Sequence, residues 1–165
     1  AHPERVRALV LIGAGLRGGP DDTAVYSPEV QAVFAAYEAA EAGDDLDELN
    51  RVEAHAWLDG WSAVEGRVKG PVRDLFLEMN SIAVHAEDPG DDGSAVSWDA
   101  VGAIAVPTLV LLGELDVVCA PVSTHLGATI PGARFELLAG TAHLPHLEGN
   151  ERCLTAIGSF LDSVA

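Results

Sequence analysis

Asp116 and His143, 27 residues apart, are the pair whose types and setting could do chemistry. Asp116 closes Leu112-Gly113-Glu114-Leu115-Asp116, and His143 lies within Ala139-Gly140-Thr141-Ala142-His143-Leu144-Pro145-His146-Leu147-Glu148. Each follows an apolar run that reads as a buried strand. Both therefore belong on loops just past a strand's carboxyl end, where open parallel sheets gather their ligands. A carboxylate there can hold an imidazole in one tautomer and stabilise its protonated form. The imidazole can then act as general base toward a nucleophile.

Three strands must position such a pair. Arg5-Val6-Arg7-Ala8-Leu9-Val10-Leu11-Ile12-Gly13 is a near-continuous apolar run closed by glycine, suited to a strand buried on both faces of a parallel sheet. Val106-Pro107-Thr108-Leu109-Val110-Leu111-Leu112-Gly113 has the same build, with Pro107 at the entry, where a missing N–H does least harm. Pro121 to Ile130 reads as a short helix stopped by Pro131-Gly132, and Arg134 to Gly140 as the third strand. From Asn150 to Val164, the helical spacing of Leu154, Ile157, Phe160, Leu161 and Val164 predicts a closing helix with one face on the sheet. Strand, helix, strand, helix is the pattern of a parallel α/β sheet.

Between the first two strands the pattern is helical. Ser27-Pro28-Glu29 is a helix start with a capping hydroxyl and proline at the first position, predicting a helix to about Ala42. A second starts at Asp44 or Asp45 and ends near Gly60. A third follows Gly70-Pro71, with Val72, Leu75, Phe76, Met79 and Ile82 as its apolar stripe. Glu87-Asp88-Pro89-Gly90-Asp91-Asp92-Gly93-Ser94 is an acidic, turn-rich loop. The expected division is 1–16 core strand, 17–97 helical cap insertion, and 98–165 core with the acid and histidine loops.

At 165 residues and 48% hydrophobic content the chain can bury a core. Its formal charge of −17 argues against binding nucleic acid or an acidic membrane surface. Between Pro20 and Asp99 the only basic residues are Arg51, Arg67, Lys69 and Arg73, so that stretch should be a strongly solvated layer. No apolar run reaches the roughly 18 residues of a membrane span. The start lacks the build of a signal peptide, which makes the cytoplasm the expected compartment. Cys119 and Cys153 have neither CxxC nor metal-type spacing and read as reduced thiols.

From Trp98 to the end the chain resembles the carboxy-terminal part of the α/β-hydrolases, whose last two strands deliver the acid and the histidine before an amphipathic helix. His2-Pro3-Glu4-Arg5-Val6-Arg7-Ala8-Leu9-Val10-Leu11-Ile12-Gly13 resembles the strand after the nucleophile helix, and the helical middle corresponds to the family's variable cap. The resemblance implies Asp116 as triad acid and His143 as base, with Glu114 a weaker candidate acid and Glu148 an anchor for the loop or last helix. It also requires a nucleophile elbow, G-x-S-x-G, between a strand and a helix. Gly60-Trp61-Ser62-Ala63-Val64 keeps the order but lacks the second glycine and follows a helical pattern, so Ser62 reads as part of a helix-ending turn. The nucleophile and the oxyanion-hole amides are expected upstream, on a segment of about 80 to 120 residues. Without it the first strand would present an unpaired apolar edge.

Other motifs carry less. Gly13-Ala14-Gly15-Leu16-Arg17-Gly18 is a formal GxGxxG, but Gly19-Pro20-Asp21-Asp22 breaks the chain where a helix should open onto phosphate. His143, His146 and Glu148 could suggest a metal, but Pro145 denies them a common helical face. His2, His55, His85 and His125 read as surface or satisfied histidines. Trp57, Trp61, Phe76 and Met79 either line an apolar pocket or pack cap against sheet. The expected function is hydrolysis of an ester, lactone or related small, partly apolar substrate, without cofactor or metal. Dehalogenase, epoxide hydrolase, carbon–carbon hydrolase and cofactor-free haloperoxidase chemistries remain open. The alternative is an inactive fragment or a non-enzymatic, hydrolase-like binding protein.

Overall fold

The computed structural model describes residues 2–16, 26–43, 45–86 and 97–165. Three parallel strands, β1 (Leu9–Ile12), β2 (Thr108–Gly113) and β3 (Arg134–Leu138), lie in the order β1-β2-β3. Central β2 is buried along its whole length. Alternation of its side chains decides both faces of the sheet. Leu109 and Leu111 join Leu138, Cys153, Ala156 and Phe160 on one face. Val110 joins Val101, Leu126 and Ile130 on the other.

The first strand is shorter than its apolar run. Pro3–Arg5 form a turn of 3-10 helix, and pairing starts where the Leu9 N–H donates to the Pro107 carbonyl at 2.9 Å. Pro107 stands at the entry of β2, where only its carbonyl is needed.

Helix α1 (Pro28–Glu41) opens on Ser27, whose hydroxyl accepts from the Val30 N–H at 3.4 Å. Helix α2 (Leu46–Glu53) is capped by Asp45 and continues in wider, π-helical turns over Ala54–Gly60, and α3 (Pro71–Val84) follows. These three lie in the chain between β1 and β2. Helix α4 (Ala120–Thr129) connects β2 to β3, and α5 (Glu151–Val164) opens on Asn150, which accepts from the Cys153 N–H at 2.9 Å.

Two apolar stripes differ from expectation. In α5 the inward residues are Cys153, Ala156 and Phe160, with Ile157 and Val164 beside them, while Leu154 and Leu161 are about half exposed. Small residues let the helix lie close to the sheet, and counting only large apolar residues misses them. In α3, Phe76 is buried with Val72 and Leu77 against it, whereas Leu75, Met79 and Ile82 face outward. The acidic stretch 87–94 and the last two residues of the GxGxxG, 17 and 18, lie outside the described residues. No helix among the described residues is long and apolar enough to cross a membrane.

Candidate active site

The ends of β2 and β3 are stitched together before any side chain is considered. The Glu114 N–H donates to the Leu138 carbonyl at 3.0 Å, and the Leu115 N–H to that of Thr141 at 2.9 Å. Gly113 permits this crossing, because a Cβ there would lie 2.6 Å from the Thr141 carbonyl oxygen and closer still to that of Ala142. The acid and histidine loops are thereby held side by side.

The resulting pair is well formed. His143 Nδ1 lies 2.8 Å from Asp116 Oδ2, with the carboxylate fully buried and the imidazole 25% exposed. A carboxylate only accepts, so Nδ1 carries a proton, and in the neutral ring Nε2 presents its lone pair. No described side chain hydrogen-bonds Nε2, so that nitrogen is available to a reacting group. The other oxygen, Asp116 Oδ1, accepts from the Cys119 N–H at 3.4 Å, at the start of α4. The helix terminus adds its partial positive charge at the carboxylate.

Three further groups shape the imidazole's surroundings. The Trp57 ring lies 4.8 Å from it, centroid to centroid, at 57°. Cys119 Sγ lies 3.7 Å from Nδ1. Burial, and then the charge of Asp116, push the Cys119 thiol up to about 12, so it is a poor nucleophile at neutral pH. Gly13, at the end of β1, forms the third wall with φ +53°. A Cβ there would sit 2.5 Å from His143 Nδ1 and 3.1 Å from Asp116 Oδ2. Gly13→Ala is therefore expected to cost about 1–2 kcal/mol from the left-handed backbone. By displacing the ring it should also break the 2.8 Å contact between His143 and Asp116. Thermal melting with the NMR signal of the Nδ1 proton checks both, and an unshifted signal would contradict this packing.

The other acidic candidates take structural places. Glu114 Oε2 accepts from the Gly140 N–H at 2.8 Å, so Asp116, and not Glu114, faces the imidazole. Glu148 accepts from the Ala142 N–H at 2.8 Å and pairs with Arg67 at 2.7 Å. Arg67 also donates to the carbonyls of Gly140, Leu58 and Asp59. The Trp57 carbonyl accepts the His143 N–H at 3.2 Å. The orphan carbonyls at the end of the π-helical turns thus find partners in Arg67 and in the histidine loop itself. Buried Asp59 holds this arrangement from behind, accepting from Gly66 N, Val68 N and Arg73.

Ser62 follows the π-helical turns in a turn, with no strand before it and no helix directly after it. His55, His85 and His125 meet the backbone carbonyls of Ala63, Ser81 and Trp98, and His125 also stacks on Trp98. Trp61 is buried with Val30, Val33 and Ala56, while Phe76 and Met79 line a groove of about 290 Å³ with Leu144, His146 and Leu147. Gly13, Cys119, Asp59 and Arg67 are the residues that sequence reasoning missed at this site. Only Arg67, as one of four cations in an acidic stretch, left a signal.

Three parallel strands with these helices and loops make up the carboxy-terminal part of an α/β-hydrolase fold. Solved structures agree. A thermophilic esterase from Thermogutta terrifontis is 24% identical, with a TM-score of 0.68 over 99% of this chain and 58% of that one. A hydrolase from Pseudomonas aeruginosa is 24% identical, with a TM-score of 0.65 over 96% and 57%. Est816, described as an N-acyl homoserine lactone degrading enzyme, is 21% identical, with a TM-score of 0.61 over 96% and 60%. The chain spans less than two thirds of the length of each. No family model and no curated protein matches its sequence.

Proposed function

We propose that Asp116 and His143 are the acid and general base of a hydrolase acting on a small ester or lactone. The nucleophile, a serine, would lie on a segment preceding residue 1. The observation that carries this reading is the 2.8 Å contact between buried Asp116 and His143 Nδ1 at the ends of two adjacent strands, with Nε2 directed elsewhere. In this reading Nε2 takes the hydroxyl proton as the serine attacks the acyl carbon, and Asp116 stabilises the imidazolium that forms. The same histidine then protonates the leaving group and activates the water that releases the acyl-enzyme. The esterase and lactonase among the structural neighbours support this bond class. Trp57 beside His143, and the apolar cluster around Trp61 with Phe34, Val117 and Val118, support a partly apolar substrate. The helices α1–α3 would then serve as its cap.

The full-length protein should turn over short-chain p-nitrophenyl esters or simple lactones and be labelled by a serine-directed fluorophosphonate probe. Binding of such ligands without turnover or labelling would defeat the enzymatic reading in favour of a hydrolase-like binding protein.

A further inference from the structure

Among the described residues, one group brings three different metal-ligating atoms together: Asp116, Cys119 and His143, all within 4.8 Å of one another. The ligands come from two loops, so their spacing in sequence carries no metal signature. His143 Nδ1 lies 2.8 Å from Asp116 Oδ2 and 3.7 Å from Cys119 Sγ. A tetrahedral zinc with ordinary bond lengths would set N···O near about 3.3 Å and N···S near about 3.5 Å. The sulfur is already at the right separation from Nδ1, and the carboxylate needs to withdraw from Nδ1 by about half an ångström. The chain's formal charge of −17 also draws divalent cations toward it. The triplet first suggested by sequence, His143 with His146 and Glu148, offers nothing comparable, since both Glu148 oxygens are engaged by Ala142 N and Arg67.

We propose that Asp116, Cys119 and His143 form a site for a thiophilic divalent cation of the zinc and cadmium class, whose occupancy switches off the His143 base. Binding requires the Nδ1 lone pair, so the ring proton moves from Nδ1 to Nε2, while the thiol proton passes to solvent as the metal–sulfur bond forms. Nothing is oxidised or reduced. A water would complete the four-coordinate set. The consequence is inhibitory: the nitrogen that should accept a nucleophile's proton now carries one, and Asp116 binds metal instead of orienting the ring. Mixed oxygen, nitrogen and sulfur donors favour zinc or cadmium over magnesium or calcium. The inhibitory consequence rests on the hydrolase reading above, but the binding does not.

The test is titration of the full-length protein with cadmium chloride alone, following the thiolate-to-cadmium charge-transfer band in the ultraviolet. The expected result is a band saturating at one cadmium per chain and displaced by zinc. It should vanish in Cys119→Ser and in Cys119→Ala, although Cys153 remains. In His143→Ala, affinity should fall by about tenfold or more. Absence of the band, its persistence in either Cys119 variant, or an affinity indifferent to His143→Ala would overturn the proposal. Because the readout is binding, a protein that takes cadmium but hydrolyses no ester retains this inference and loses the hydrolase reading. One that hydrolyses esters without a band does the reverse.

Discussion

His143→Ala in the full-length protein should lower kcat for ester hydrolysis by at least about 10⁴-fold, and Asp116→Asn by on the order of 10³- to 10⁴-fold. The asparagine variant is the more informative because the site dictates how it settles. One side-chain atom of residue 116 must accept from the Cys119 N–H and the other must face His143 Nδ1. The amide oxygen takes the first place, which turns the NH₂ toward the imidazole. Nδ1 must then accept, the proton moves to Nε2, and the base is lost while the fold stays intact. Asp116 acts on the reaction only through His143, so the double variant should be no slower than His143→Ala alone. Multiplicative losses in that cycle, or Asp116→Asn within about tenfold of wild type, would show that the pair is not a catalytic unit.

The pair was legible in the sequence because strands announce themselves as apolar runs, and each run here ends on a glycine-containing loop; burial was read less well, since only β2 is buried throughout, while β1 is half-buried and β3 leaves Phe135 and Leu137 exposed. The strands at Leu9, Thr108 and Arg134 follow from that pattern, and the cap at Ser27 follows from its hydroxyl ahead of Pro28-Glu29. What surrounds the pair was not legible, because it depends on contacts between distant segments. Gly13 reads locally as a strand terminator, and only the placement of β1 beside β2 reveals that its missing side chain makes room for the His143 ring. Cys119 reads as an isolated thiol until the start of α4 brings it to the imidazole. The outward turn of Leu75 and Met79 in α3 escaped for a related reason: spacing defines a stripe but not what lies opposite it.

Asp59→Ala should be the most destabilising single substitution outside the apolar core, costing about 3–5 kcal/mol and lowering Tm by roughly 6–20 °C. Asp59 is completely buried, and its carboxylate accepts from Gly66 N at 2.7 Å, Val68 N at 2.8 Å and Arg73 Nη1 at 2.7 Å. Alanine would leave two amides and a largely buried guanidinium without their acceptor. Arg73→Ala keeps both amides satisfied but leaves a completely buried carboxylate without its cation, so it too should cost about 3 kcal/mol or more; a loss below about 1 kcal/mol from either substitution in denaturant unfolding would refute this account. The loss should also reach the candidate site. Arg67 sits between the two amides that Asp59 grips, and from there it holds Gly140 and Glu148, whose carboxylate in turn holds the amide before His143. Hydrogen exchange at Ala142 and His143 should therefore accelerate in Asp59→Ala, and in Arg67→Ala even where global stability is little changed. Unchanged exchange at both amides would mean that the strand ends alone hold the histidine, and that the helical insertion does not take part.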